Sequence, residues 1–182
     1  MFGEKTLTDK VAMIFRLSQK LSTKLKEGRL PAMPLDDDPF ADWSAHLFVA
    51  DRAQYILLSN TRSLYSTVLY GKGVTTDSHF IERALGGIRE FTEADGLAFA
   101  YRRFIAPAAA SVRFAKALDR SVTGSMNDLT KHAAYWLAEG DQSPFDVGFR
   151  LNDIPMSMLA SGGSAYGKPR EAFRALAGGV ES

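Results

Sequence analysis

Between Asp42 and Tyr70 the chain carries three short stretches of alternating side chains with only a few residues between them, and little but an antiparallel meander accepts that pattern. Trp43, Ala45, Leu47 and Val49 share one face of a first strand, and Ser44, His46 and Phe48 share the other. Asp51-Arg52-Ala53 turns the chain, Tyr55–Ser59 returns it, and Asn60-Thr61-Arg62 turns it again into Leu64–Tyr70. Gly71-Lys72-Gly73 closes the unit.

Around the meander the pattern predicts further elements. Val11–Leu17 is an apolar run broken only by Arg16, as in a strand buried on both faces. Ser18 caps a following helix that Gly28 stops, after a polar lead-in over Met1–Lys10. Pro31, Pro34 and Pro39 around Asp36-Asp37-Asp38 make Arg29–Ala41 a surface loop, without the spacing of a calcium loop. Asp77 or Ser78 caps a helix with Ile81, Ile88 and Phe91 inward, and its internal Gly86-Gly87 implies a close neighbour. Asp95-Gly96 ends it, and Leu97–Ile105 is read as a second helix stopped before Pro107. Asp141–Asn152 shows no steady period, Ser161-Gly162-Gly163-Ser164 is a break, and Pro169–Leu176 forms a short helix with Phe173 packing back.

The period changes most sharply near residue 119. Val112–Leu118 alternates as a strand, whereas Met126, Leu129, Ala133, Trp136 and Leu137 recur at helical steps. The join predicts a Gly-containing turn over Asp119–Gly124, with a helix beginning at Ser125. Ser125 and Asp128 resemble a capping box, and Thr123 is a rival cap. Free amides about Gly124 and Ser125, the helix dipole and the Arg120 guanidinium would then suit an anion. Both common nucleotide-binding glycine spacings are absent.

With Asp42-Trp43-Ser44-Ala45-His46-Leu47-Phe48 early and Arg120-Ser121-Val122-Thr123-Gly124-Ser125-Met126-Asn127-Asp128 late, the chain resembles a bacterial family described only as a domain of unknown function. The likeness runs from about Val11 to Glu139 and on toward Leu151–Pro155. The family carries asparagine in place of His46 and leucine in place of Thr123, so no role is borrowed for those two positions. The resemblance implies a fold and no activity.

Composition excludes several classes. Twenty-two basic against 21 acidic residues leave a formal charge of +1, which disfavours nucleic acid as a partner, and the absence of cysteine excludes disulfides and thiolate chemistry. No apolar window reaches the ~18 residues of a membrane span, and the N-terminus lacks a signal-peptide core, so a cytoplasmic protein without a membrane partner is expected.

The expectation is therefore an α+β fold: a roughly five-stranded, mostly antiparallel sheet, with residues 1–160 as one domain and 161–182 as a flexible extension holding a short helix. Its expected function is non-catalytic binding of a small anionic ligand or a protein partner through Arg120, Ser121, Gly124, Ser125 and Asn127, with neither cofactor nor metal. The alternative is an enzyme, hydrolase-like or metal-assisted, with Asp128 and His132 as catalytic candidates and a site reaching Asp42–His46. Ser125, Asp128, His132 and Tyr135 fall on one helical stripe that would line a cleft. Trp43 and Trp136 are assigned to the core.

Overall fold

The meander is present as β2 (Asp42–Ala50), β3 (Ala53–Asn60) and β4 (Ser66–Tyr70), paired antiparallel over eight and five registered residues. The structure, a computed structural model, describes residues 12–178. Two more strands, β1 (Met13–Leu17) and β5 (Val112–Lys116), complete a sheet in the order β4-β3-β2-β1-β5. β1 runs parallel to β2 over four residues and to β5 over five, so the sheet is mixed, with antiparallel pairing in the majority. The fold is α+β. Being central, β1 is buried along its whole length, the physical origin of its nearly unbroken apolar run. Val11, the expected lead-in over Met1–Lys10 and residues 179–182 lie outside the described residues.

Helices cover both faces. On one, Phe80, Ile88 and Phe91 of α2 and Phe173 of α7 pack with Phe15, Trp43, Ile56 and Leu58 of the sheet. On the other, Val122, Met126, Leu129, Ala133 and Leu137 of α5 pack on Leu57 and Val68. These helices are α2 (Asp77–Ala94), α5 (Arg120–Glu139) and α7 (Pro169–Gly178). Between α2 and β5 the chain is helical through α3 (Ala98–Ala100), a π turn (Tyr101–Ile105) and α4 (Ala106–Ala108). The expected stop before Pro107 is thus corrected: the amide of Ala106 reaches back to Tyr101, and this widened turn precedes the proline that cannot donate.

Three other boundaries also move. Helix α1 (Gln19–Lys24) has Ser18 as its N-cap but ends before Gly28, because Leu25 closes it and Lys26 takes φ 57°. Thr76 caps α2 in place of Asp77 or Ser78, its hydroxyl accepting from the His79 amide. The stretch expected to lack a period contains α6 (Pro144–Leu151), fixed by a capping box between Ser143 and Asp146. Of the two glycines in α2, Gly87 has the close neighbour: a side chain there would strike Leu69, whereas Gly86 faces open space.

The polar exception in β1 explains the proline-rich loop. Arg16 and Asp42 have side chains only 1% and 0% exposed and pair in a fork, Nε to Oδ1 at 2.8 Å and Nη2 to Oδ2 at 2.7 Å. The same guanidinium donates to the carbonyls of Met33 at 2.7 Å and Pro34 at 2.9 Å, and Asp42 accepts the Asp36 amide at 3.1 Å. A charge buried this deeply is tolerated because nearly every donor and acceptor is used. The loop is held from inside the sheet.

At the opposite edge, Asn152 replaces a missing strand. Its side-chain amide donates to the Ser66 carbonyl at 3.0 Å and its oxygen accepts the Ser66 amide at 2.8 Å, closing the start of edge strand β4.

Candidate functional site

Helix α5 begins five residues earlier than expected. Asp119 is its N-cap, with the carboxylate accepting the Val122 amide at 2.9 Å, and the Thr123 amide already bonds to the Asp119 carbonyl. Gly124 and Ser125 therefore lie in the second turn, where amides are spent on carbonyls four residues back. The free amides expected there do not exist. Ser125 is no cap: its hydroxyl donates to the Ser121 carbonyl at 2.9 Å. Replacing Asp119 by alanine is expected to cost about 1 kcal/mol in chemical denaturation, and Ser125→Ala within about 0.5 kcal/mol of nothing. Equal losses would return the cap to Ser125.

The longer helix sorts its residues into three faces at about 100° per residue. One is the buried face already described. A second carries Asp128, His132 and Tyr135, all exposed, so the stripe expected to line a cleft faces solvent. Asp128 and His132 form no ion pair, and the His132 ring lies 5.6 Å from that of Trp136. Trp136 is itself only half-buried, with the Arg150 guanidinium 3.9 Å above its ring, which corrects its assignment to the core. Trp43 is core.

The third face carries Thr123, Asn127, Thr130 and Lys131, and these border an open cleft of about 1520 Å³. Its other walls are α1, the segment after α1, the second half of β2 and the end of β5. The cleft thus lies where β1 and β5, which run parallel, both end. Arg120, exposed and with a side chain that forms no hydrogen bond or ion pair among the described residues, lies on the helical stripe of Asn127, two turns earlier. Ser121 and Ser125 point well away from it.

Charge on the cleft is one-sided. Lys20, Arg29, Lys116 and Lys131 border it against the single acid Glu27. All four cations are exposed, so each acts weakly and subject to salt. The floor is different. His46 leaves β2 on the α5 side, is 7% exposed, and its side chain makes no hydrogen bond to the described residues. Among the described residues the fully enclosed side-chain polar atom without a partner is Gln142 Oε1, so the His46 ring nitrogens are not sealed off but keep access to solvent at the cleft.

Burial disfavours the imidazolium and pushes the His46 pKa down to about 4. The unfolded chain, with an ordinary imidazole near 6.5, binds the proton first, so stability falls as pH drops from about 6.5 to about 4. The loss attributable to this residue is about 3 kcal/mol. Stability measured against pH should therefore be steeper across that window in the wild type than in His46→Gln. Parallel curves would mean that the imidazole charges freely in the folded protein.

The enzyme constellation considered from the sequence is not assembled. Both carboxylate oxygens of Asp42 are taken by Arg16, and His132 stands on the solvent face of α5. Asp36 and Asp38 accept amides of their own loop. Among the described residues no group of three or more His, Asp or Glu side chains is placed to hold a metal, and no helix is long and apolar enough to cross a membrane.

His46, Lys20 and Lys116 were not legible as one site, because they come from separate strands and a helix. The available signal was a histidine on the polar side of the first meander strand. No curated protein and no solved structure matches the chain. A family model described as "Domain of unknown function (DUF6933)" matches residues 14–172, a span that begins one residue into β1, runs beyond α6 and includes the whole cleft, and the chain belongs to that family.

Proposed function

We propose that this protein is a non-catalytic binding domain for a small anionic ligand, seated in the cleft between α1, β2, the end of β5 and α5. The observation that carries the proposal is His46, a largely buried side chain whose ring nitrogens keep solvent access and bond to none of the described residues, in a cleft rimmed by four cations and one acid. An anion entering there would meet an imidazole N–H that no described residue occupies and would displace only water from it, in surroundings that favour negative charge. Asn127 and Thr123 supply neutral hydrogen-bonding groups from the α5 wall, and Arg120 extends the same stripe at the mouth. The anion expected at the Arg120–Asp128 segment is thereby moved from the helix tip to the helix flank.

The test is calorimetric titration of the wild type and of a Lys116→Glu, Lys131→Glu double variant with inorganic phosphate and acetate at low salt. Wild-type binding that weakens with added salt, and is about tenfold weaker in the variant, is the expected result. Equal affinities in the two proteins, or no binding of either anion, would refute the proposal.

A further inference from the structure

The cleft floor contains a second side chain besides His46. Phe48 is two residues further along β2, so both rings leave the same face of the strand about 7 Å apart. Phe48 stacks on Tyr55 at 5.7 Å and 28°, and Tyr55 meets Tyr70 at 5.7 Å and 35°. These are cross-strand neighbours in β2, β3 and β4, and they form a ladder of three rings across the sheet. Tyr55, in the middle, has a ring on each side. Phe48 ends the ladder with one aromatic neighbour, is only half-buried, and borders the cleft.

We propose that the ligand is an aromatic anion whose planar ring extends the ladder on Phe48 while its charged group lies over His46 and the cationic rim. This rests on the anion-binding reading of the cleft and narrows it. Three features support the narrower class. Ring stacking needs an uncovered aromatic partner, and the end of the ladder is such a partner. Ala134 of α5, on the same side of the sheet as Phe48, adds apolar wall to the cleft, surface that a bare inorganic anion would leave wetted. The cleft also exceeds the ~300–1,000 Å³ of most small-molecule sites, leaving room for a ring and a charged group together. A nucleoside phosphate and an aromatic carboxylate share this chemistry, and the probes separate them.

The experiment compares ligands that differ only in the ring. Adenosine monophosphate is titrated against ribose 5-phosphate, and phenylacetate against acetate, into the full chain and into Phe48→Leu and Phe48→Tyr. In whichever pair the cleft accepts, the ring-bearing member should bind roughly 5- to 100-fold tighter to the wild type. Phe48→Leu should lose that excess and leave the ringless member within twofold, and Phe48→Tyr, which keeps a ring, should retain it. Phe48→Tyr also guards against a Leu variant that fails to fold. If the ring adds nothing in either pair, or its advantage survives Phe48→Leu, the aromatic assignment is wrong while anion binding stands. If no anion binds at all, the underlying reading fails first.

Discussion

Replacing Asp42 by alanine should destabilise the protein by about 3–5 kcal/mol, a large fraction of what a domain of this size has. The carboxylate is fully buried and is the only acid in the fork that neutralises Arg16. Without it the guanidinium would stay in the interior, bonded only to the carbonyls of Met33, Pro34 and, more distantly, Lys116. An isolated buried charge costs more than the ion pair gained. Chemical denaturation gives the magnitude, and amide exchange should show residues 29–41 losing protection first, because Asp42 also holds the Asp36 amide. Adding Arg16→Met should restore part of the loss. Full restoration is not expected, since the two loop carbonyls would then lack donors. A loss below 1 kcal/mol for Asp42→Ala would mean that water reaches the pair.

Phe173→Ala is the second large effect, at about 3–5 kcal/mol. The ring is fully buried, stacked on Tyr65 at 4.3 Å and 10°, and set edge-on to Phe40 at 5.6 Å and to Trp43 at 6.2 Å. Arg170, one turn earlier, pairs with Asp95 and Asp153, and Asp95 also accepts the Tyr65 hydroxyl at 2.7 Å. Burial, reinforced by that bond to Asp95, raises the Tyr65 pKa, so the hydroxyl remains a donor. Helix α7 is therefore integral to the core on the α2 face. A change below about 0.5 kcal/mol in thermal or chemical denaturation would instead make it a dispensable appendage.

Most elements legible in the sequence bury one side, and β1, buried on both, was legible through its nearly unbroken apolar run. Alternation exposed β2, β3 and β4, and steps of three and four exposed α2 and the body of α5. Helix α6 escaped because it buries two sides: Phe145 and Phe149 pack toward Phe91, and Val147 and Leu151 toward the α5 cluster. The apolar arc is therefore wide, running from Val147 and Leu151 past Gly148 to Phe145 and Phe149, and only Asp146 and Arg150 mark a polar side in so short a helix. Gly148, inside the stretch read as lacking a period, lies close to Phe91 and the backbone of Thr67, where a side chain would collide. Gly124 was misleading. It resembled a turn residue but lies inside α5 with nothing near it, at a propensity cost of about 1 kcal/mol. The position of β1 between β2 and β5 was beyond local pattern, since parallel neighbours come from distant parts of the chain. That arrangement brings His46, Lys116 and the flank of α5 together, and so the cleft could not be assembled from sequence. Arg120 and Asn127 were drawn to notice as a turn, whereas they belong to one stripe along a helix.

The most direct measurement of the central claim is a nitrogen-15 NMR titration of the three histidine side chains, His46, His79 and His132, with inorganic phosphate and phenylacetate at pH 7. His79 and His132 are exposed and outside the cleft, so they serve as internal controls. A saturable shift of the His46 ring nitrogens with at least one of the two anions is expected, as the imidazole exchanges water for the anion, while the other two rings follow only bulk salt. A His46 signal that stays fixed while the protein is saturated, or moves no more than His79 and His132, would contradict the claim.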